Sequence, residues 1–207
     1  MKNIKIQLPE SVQIVLASGS PRRRELLDQI GLPFTVVPSS AEEKTDASLS
    51  PYMTVQALSL LKAADVAAGQ PKETLVIGAD TIVVLDDEIL TKPHDEGHAK
   101  EMLHRLSGRS HSVLTGLTVL RCADGKSISV TEETKVHFKE LSDAEIDSYV
   151  HTGEPLDKAG AYGIQGLGGL FIDTIDGDYY NVVGLPLARL GHILQTEFEI
   201  DLIWEVL

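Results

Sequence analysis

The chain has 207 residues, 43% hydrophobic and 24% charged, with a formal net charge of −13, enough for one sizeable domain or two small lobes with a real core. The acidic excess excludes the extended basic surface on which nucleic-acid binding depends, but not a few convergent cations, because exposed charges beyond about 10 Å are largely screened. No apolar run reaches membrane-spanning length and no secretory signal pattern opens the chain, so the expected location is the cytoplasm.

In chain order, Ile14 to Ala17 predicts a short buried strand, followed by the small-residue loop Ser18-Gly19-Ser20. Ser20 can cap the next helix, Pro21 fits its first position, Leu26, Leu27 and Ile30 give its apolar face, and Gly31 suits its stop. Phe34 to Val37 predicts a second strand, and Ser50-Pro51 opens a helix through about Ala68. Leu75 to Leu90 predicts two extended stretches, the first interrupted by Gly78 to Thr81 and the second turning through Asp86-Asp87. A helix is expected from Asp95 to Leu106, then a hairpin of Ser110 to Arg121 and Ser127 to Phe138 through Asp124-Gly125. The single cysteine, Cys122, sits beside that turn and reads as a packed or tolerated thiol. Ser142 and Glu145 form a capping box for a helix ending at Gly153. Asp176-Gly177 marks a further hairpin between Leu170 to Ile175 and Asp178 to Val183, and Pro186 opens the last helix. Antiparallel hairpins among helices predict an α/β protein with a mixed twisted sheet and flanking helices. No linker composition places a lobe boundary, so residues 1–207 read as one domain.

Three segments carry chemistry. Arg22, Arg23 and Arg24 stand in a first helical turn, where the dipole disfavours cations, while the free amides of that turn suit an anion. The alternative is an amphipathic helix with solvent-facing arginines. Asp80, in Gly78-Ala79-Asp80-Thr81, is expected at a strand end where glycine lets the backbone approach a ligand; a turn-stabilising aspartate explains the same tetrapeptide. Glu154 to Gly169 is glycine-dense without apolar periodicity, and Gln165 within it carries both a donor and an acceptor. Lys62 lies among Leu58, Leu61, Ala63 and Ala64, where a lysine snorkels to solvent by default. Lys92 lies where a strand gives way to a helix. Glu42 and Glu43 follow the second strand as a solvated acidic loop or as oxygen donors for a hard cation. No His or Cys cluster has zinc spacing. No Gly-x-x-x-x-Gly-Lys-Ser/Thr loop, Gly-x-Ser-x-Gly elbow or plausible nucleophilic cysteine supports a P-loop enzyme or a covalent hydrolase.

Read together, the arginine segment, Gly78-Ala79-Asp80-Thr81 and Asp157 to Gly166 resemble the Maf family of nucleoside triphosphate pyrophosphatases, over about Ile14 to Leu194. The resemblance implies an inosine-triphosphatase-like (Maf/Ham) fold with two lobes around a nucleotide cleft. It implies hydrolysis of a nucleoside triphosphate to the monophosphate and pyrophosphate, with Asp80 as proton acceptor. Lys62, Lys92 and Lys158 match basic positions that would steady the triphosphate, and Arg22, Thr81 and Gln165 match the branch acting on dTTP and UTP, which leaves Ser18 and Arg23 as the implied phosphate ligands. Glu43 matches an acidic position better than Glu42 does and would hold a divalent metal, magnesium by default and manganese or cobalt otherwise, with Asp80 as a second candidate ligand. The resemblance further implies a homodimer. A non-catalytic nucleotide-binding regulator of cell division is the alternative, and the simultaneous presence of the arginine helix, Asp80, Lys92 and Gln165 speaks for the enzyme.

Overall fold

The computed structural model describes residues 6, 8, 9, 12–43 and 48–202. Its strands are β1 (Gln13–Leu16), β2 (Thr35–Val36), β3 (Thr74–Leu85), β4 (Glu88–Leu90), β5 (Ser110–Arg121), β6 (Ser127–Phe138) and β7 (Ile172–Asp176). Its helices are α1 (Pro21–Gln29), α2 (Pro51–Ala67), α3 (Glu96–Leu106), α4 (Asp143–His151), α5 (Tyr179–Val183) and α6 (Leu187–Phe198). The strands order as β2-β1-β3-β5-β6-β7, with β4 on β3. Pairing is parallel for β1–β2 and β1–β3 and antiparallel for β3–β4 and β6–β7, so the sheet is mixed as expected. The parallel neighbours follow from crossovers, since α1 separates β1 from β2 and α2 separates β2 from β3. Among the described residues no helix is long and apolar enough to cross a membrane.

The chain divides into two compact units. The first comprises Met1–Asp80, Thr115–Glu132 and Gly184–Leu207. Its core gathers Val15, Ala17, Ala63, Val66 and Val76, with Cys122 partly buried against it. The Cys122 thiol lies 3.8 Å from the Ala67 carbonyl oxygen, packed against this core, and burial raises its pKa. Helix α2 presses Ser59 and Ala63 onto the sheet at Gly78. A Cβ there would strike the Ser59 carbonyl oxygen and lie 2.9 Å from the Ala63 Cβ. Gly116 on β5 meets the Val55 carbonyl in the same way.

The second unit comprises Thr81–Leu114 and Glu133–Val183. Its core includes Leu85, Leu103, Leu106, Val136, Phe138 and Ile146, and α3 packs against α4. Asp86 and Asp87 take φ of 52° and 64°, the two left-handed residues that a tight hairpin between β3 and β4 requires. Ser142 and Glu145 close the expected capping box.

Three local expectations are corrected. Residues 78–81 do not interrupt the first extended stretch, because Gly78 serves the approach of α2 and β3 continues through it for 12 residues. Residues 178–183 do not form the second arm of a hairpin. The Asp178 carboxylate accepts the Tyr180 amide at 2.8 Å and starts α5, while the buried Asn181 amide donates to the Val113 carbonyl and Thr134 Oγ1, each at 3.0 Å. Ser20 stands at the N-cap of α1 without a side-chain cap bond; the Ser18 hydroxyl instead accepts the Ser20 amide at 3.2 Å.

Candidate active site

Five of the residues singled out in the sequence meet in the first unit. β1 runs out into the Ser18 loop, and α1 then turns Arg23 inward while Arg24 stays exposed and Arg22 is half-buried. Arg23 is therefore not a solvent-facing arginine. It is 9% exposed, and its Nε donates to the Gly184 carbonyl at 2.7 Å while its Nη1 donates to Ser18 Oγ at 3.0 Å. Burial lowers its pKa from the ordinary value, the charges of Asp80 and Glu43 opposing that shift and Arg22 adding to it. The first turn of α1 holds no acidic residue and no side-chain cap, so its amides are unscreened by carboxylate.

Asp80 is 9% exposed and lies mid-strand in β3, not at the strand end expected. Its fixed position comes from the strand backbone and from Lys62, whose ammonium donates to Asp80 Oδ1 at 2.6 Å. Lys62 does not snorkel to solvent. It sits at the edge of the buried face of α2, beside Ala63, and its ammonium also pairs with Glu43 Oε1 at 2.9 Å. Lys62 thus bridges a buried carboxylate and one that is half exposed.

The sequence did not single out Asp65. Its carboxylate accepts the Ser39 hydroxyl at 2.7 Å and the Ser40 amide at 2.9 Å, which holds its pKa below the usual range. Lys62 and Asp65 lie three residues apart and so share one helical face, from which α2 ties down the segment after β2 that carries Glu43. That spacing was the available signal.

In the second unit, Thr81 is partly buried and Lys92 and Gln165 are exposed. The Lys158 ammonium donates at 2.6 Å both to the Glu154 carbonyl and to Asp157 Oδ1, so it is held by its own loop. The glycine-dense segment is more ordered than a loop, with 3₁₀ turns at Glu154–Asp157, Ala159–Ala161 and Leu167–Phe171.

Chemically, the first unit offers two cations and a hydroxyl toward an anion and one buried carboxylate able to take a proton. Among the described residues no three His, Cys, Asp or Glu side chains gather as a metal site. A hard divalent cation that keeps substrate phosphates as ligands needs only one or two carboxylates. Asp80 and Glu43, both within reach of one ammonium, fit that donor set.

A family model described as Maf-like protein matches residues 13–197. A dTTP/UTP pyrophosphatase of Thermoanaerobacter sp. (strain X514) is 52% identical over 93% of this chain and 100% of its own length. Proteins of the same name from Alkaliphilus oremlandii (strain OhILAs) and Bacillus cereus (strain B4264) are 50% and 51% identical, over 92% and 91% of this chain and 99% and 97% of theirs. Among solved structures, the Staphylococcus aureus Ham1 protein aligns with a TM-score of 0.46 at 14% identity, over 61% of this chain and 71% of that one.

Proposed function

The chain belongs to the Maf family, and we propose that it is a nucleoside triphosphate pyrophosphatase that converts dTTP and UTP to the monophosphate and pyrophosphate. The observation that carries this reading is the cluster of Ser18, Arg23, Lys62 and Asp80, in which a buried carboxylate sits within 2.6 Å of a cation that can also meet phosphate oxygens. A water oxygen bonds to the α-phosphorus, the bond from that phosphorus to the bridging oxygen breaks, and pyrophosphate leaves. Asp80 accepts the proton of the attacking water at a carboxylate oxygen. Arg23, Ser18 and the α1 amides hold the phosphate charge, and Lys62 orients Asp80 before the substrate binds. Lys92 adds a point charge to the triphosphate; Lys158 does so only by releasing its loop partners. A divalent cation, magnesium or in its place manganese or cobalt, held by Asp80 and Glu43, would neutralise phosphate charge.

Arg22, Thr81 and Gln165 select the pyrimidine. A hydrogen-bonding pocket rejects a wrong base by leaving buried polar groups unpaired. We read the protein as cytoplasmic, and as homodimeric following the family. Pyrophosphate release across a nucleotide panel, with and without added metal, tests the reading, together with Asp80→Asn. The amide keeps the shape and loses the basicity, so turnover is expected to fall about 100- to 10,000-fold with nucleotide binding retained. Turnover of that variant within a few-fold of the parent removes Asp80 from the role, and equal activity on purine and pyrimidine triphosphates removes the substrate assignment.

A further inference from the structure

We propose that Glu154, acting with Tyr149, is the positioning residue that fixes the Gln165 loop in the conformation that reads the base. The inference rests on the reading of Gln165 given above. Glu154 follows α4 and opens the first 3₁₀ turn, and its carboxylate is an assembly point for the loop. Oε1 accepts the Tyr149 hydroxyl at 2.9 Å and the Gly168 amide at 3.2 Å, and Oε2 accepts the Leu167 amide at 3.0 Å. The Tyr149 oxygen in turn accepts the Gly163 amide at 3.3 Å. One tyrosine–carboxylate pair therefore grips the backbone two residues before Gln165 and two residues after it.

The carboxylate is matched to this task. Ionised, it is acceptor-only, so one side chain can serve three donors at once, which an amide or hydroxyl cannot do. Burial alone raises the Glu154 pKa, but the Leu167 and Gly168 amides and the Tyr149 hydroxyl outweigh that and hold the carboxyl below its ordinary range. The loop wraps so closely that a Cβ on Gly166 would strike the Glu154 carboxylate. Without the clamp, a segment with glycine at 163, 166, 168 and 169 would sample many backbone states, and binding would have to order them. Gln165 itself is exposed, so its aim depends on the gripped backbone on either side. Base recognition tolerates misplacement of only about 0.5 Å.

The test uses the full chain, as parent, Glu154→Gln, Tyr149→Phe, Gln165→Leu and the Glu154→Gln/Gln165→Leu double variant. Amide hydrogen exchange at Leu167 and Gly168 is measured beside KM and kcat on dTTP, UTP, dATP and dGTP. Glu154→Gln turns an NH2 toward donors that need an acceptor. Exchange should speed at both amides, and KM for dTTP and UTP should rise about 10- to 100-fold with kcat changed less. The preference over purine nucleotides should shrink, and the double variant should lose little beyond Gln165→Leu. Should Glu154→Gln fail to fold, Tyr149→Phe frees the Gly163 amide, so exchange should speed at Gly163, with the same expectations for KM and kcat. Faster exchange with an unchanged pyrimidine preference overturns the inference, as does an equal loss of kcat on every nucleotide with KM unmoved. A parent protein that shows no pyrimidine preference overturns the base-reading assignment first, before any variant is made, and the inference with it.

Discussion

Gly78→Ala should injure fold and chemistry through one contact. The new methyl group would strike the Ser59 carbonyl and stand 2.9 Å from both the Ala63 Cβ and the Ala63 nitrogen, against the ordinary contact of about 3.5–4.0 Å. Because these are backbone or Cβ atoms, no side-chain rotation relieves the clash, and α2 must move off β3 by about 1 Å. Overpacking of this kind costs about 1–3 kcal/mol, and the backbone contact puts the cost at the upper end. For a chain of this size that lowers Tm by roughly 4–10 °C. Lys62 precedes Ala63 on the moving helix, and Asp80 lies two residues beyond Gly78 on the strand. The 2.6 Å contact between them lengthens past hydrogen-bond range, and turnover is expected to drop about 10- to 100-fold even at temperatures where the variant is fully folded. A thermal scan and pyrophosphate release at 20 °C measure the two effects. Gly191→Ala, where nothing lies within 4 Å, controls for the substitution itself. A Gly78→Ala protein with parental Tm and turnover would refute the account of how α2 sets the Lys62–Asp80 contact.

Lys62→Met fills a similar volume but strips Asp80 and Glu43 of their shared cation; we expect a loss of about 1–3 kcal/mol by chemical denaturation and a deeper loss of turnover, and a variant as active as the parent refutes the bridge. Arg23→Ala leaves the Gly184 carbonyl and Ser18 without their donor, so it should cost about 1–3 kcal/mol as well as raising KM; unchanged stability would mean that Arg23 serves substrate alone. His111 is buried, with its Nε2 2.8 Å from the Tyr162 hydroxyl, and burial, with His137 nearby, lowers its pKa from 6.5 to about 3. The unfolded chain therefore takes up the proton first, so this stability is fully present above about pH 6.5 and is lost as pH falls toward 3, amounting to about 2 kcal/mol at pH 5. Denaturant unfolding at pH 7 and pH 5 should show a smaller loss in His111→Gln, and equal losses in both proteins would discard the assignment.

Much of the chain was legible because its signals are local. Pro51 opening α2, the Ser142–Glu145 box and the paired Asp86 and Asp87 each act within four residues, so their chemistry does not wait on tertiary structure. Residues 178–183 were misread because Asp176-Gly177 is a sound hairpin signal, whereas the helix is held by Asn181 bonding to Val113 and Thr134, far away in sequence. The candidate site divides along the same line. The three motifs identify Arg23, Asp80 and Gln165 as residues, but not that Arg23 is buried or that Asp80 sits mid-strand. Lys62 shows the limit most plainly. Among leucines and alanines it has every mark of a snorkelling lysine, and its true partner lies 18 residues on, across the contact that Gly78 permits.

That contact also bears on why the charges are there. Exposed pairs such as Lys100–Asp147 are screened by solvent and contribute little, and their loss would leave the fold intact. Lys62 and Asp80, with side chains 14% and 12% exposed, have given up most of their hydration, and an ion pair so placed is on average no more stabilising than a well-packed apolar pair of equal volume. Stability therefore gives no reason for a lysine at 62 facing an aspartate at 80 on β3. A proton acceptor that must be aimed beside bound phosphate does give one: the ammonium at 2.6 Å fixes the carboxylate oxygen in place, and Arg23, close enough to feel the Asp80 charge, adds a second cation able to meet phosphate. The buried charges are thus better explained by the chemistry proposed for Asp80 than by the folding of the unit that contains them.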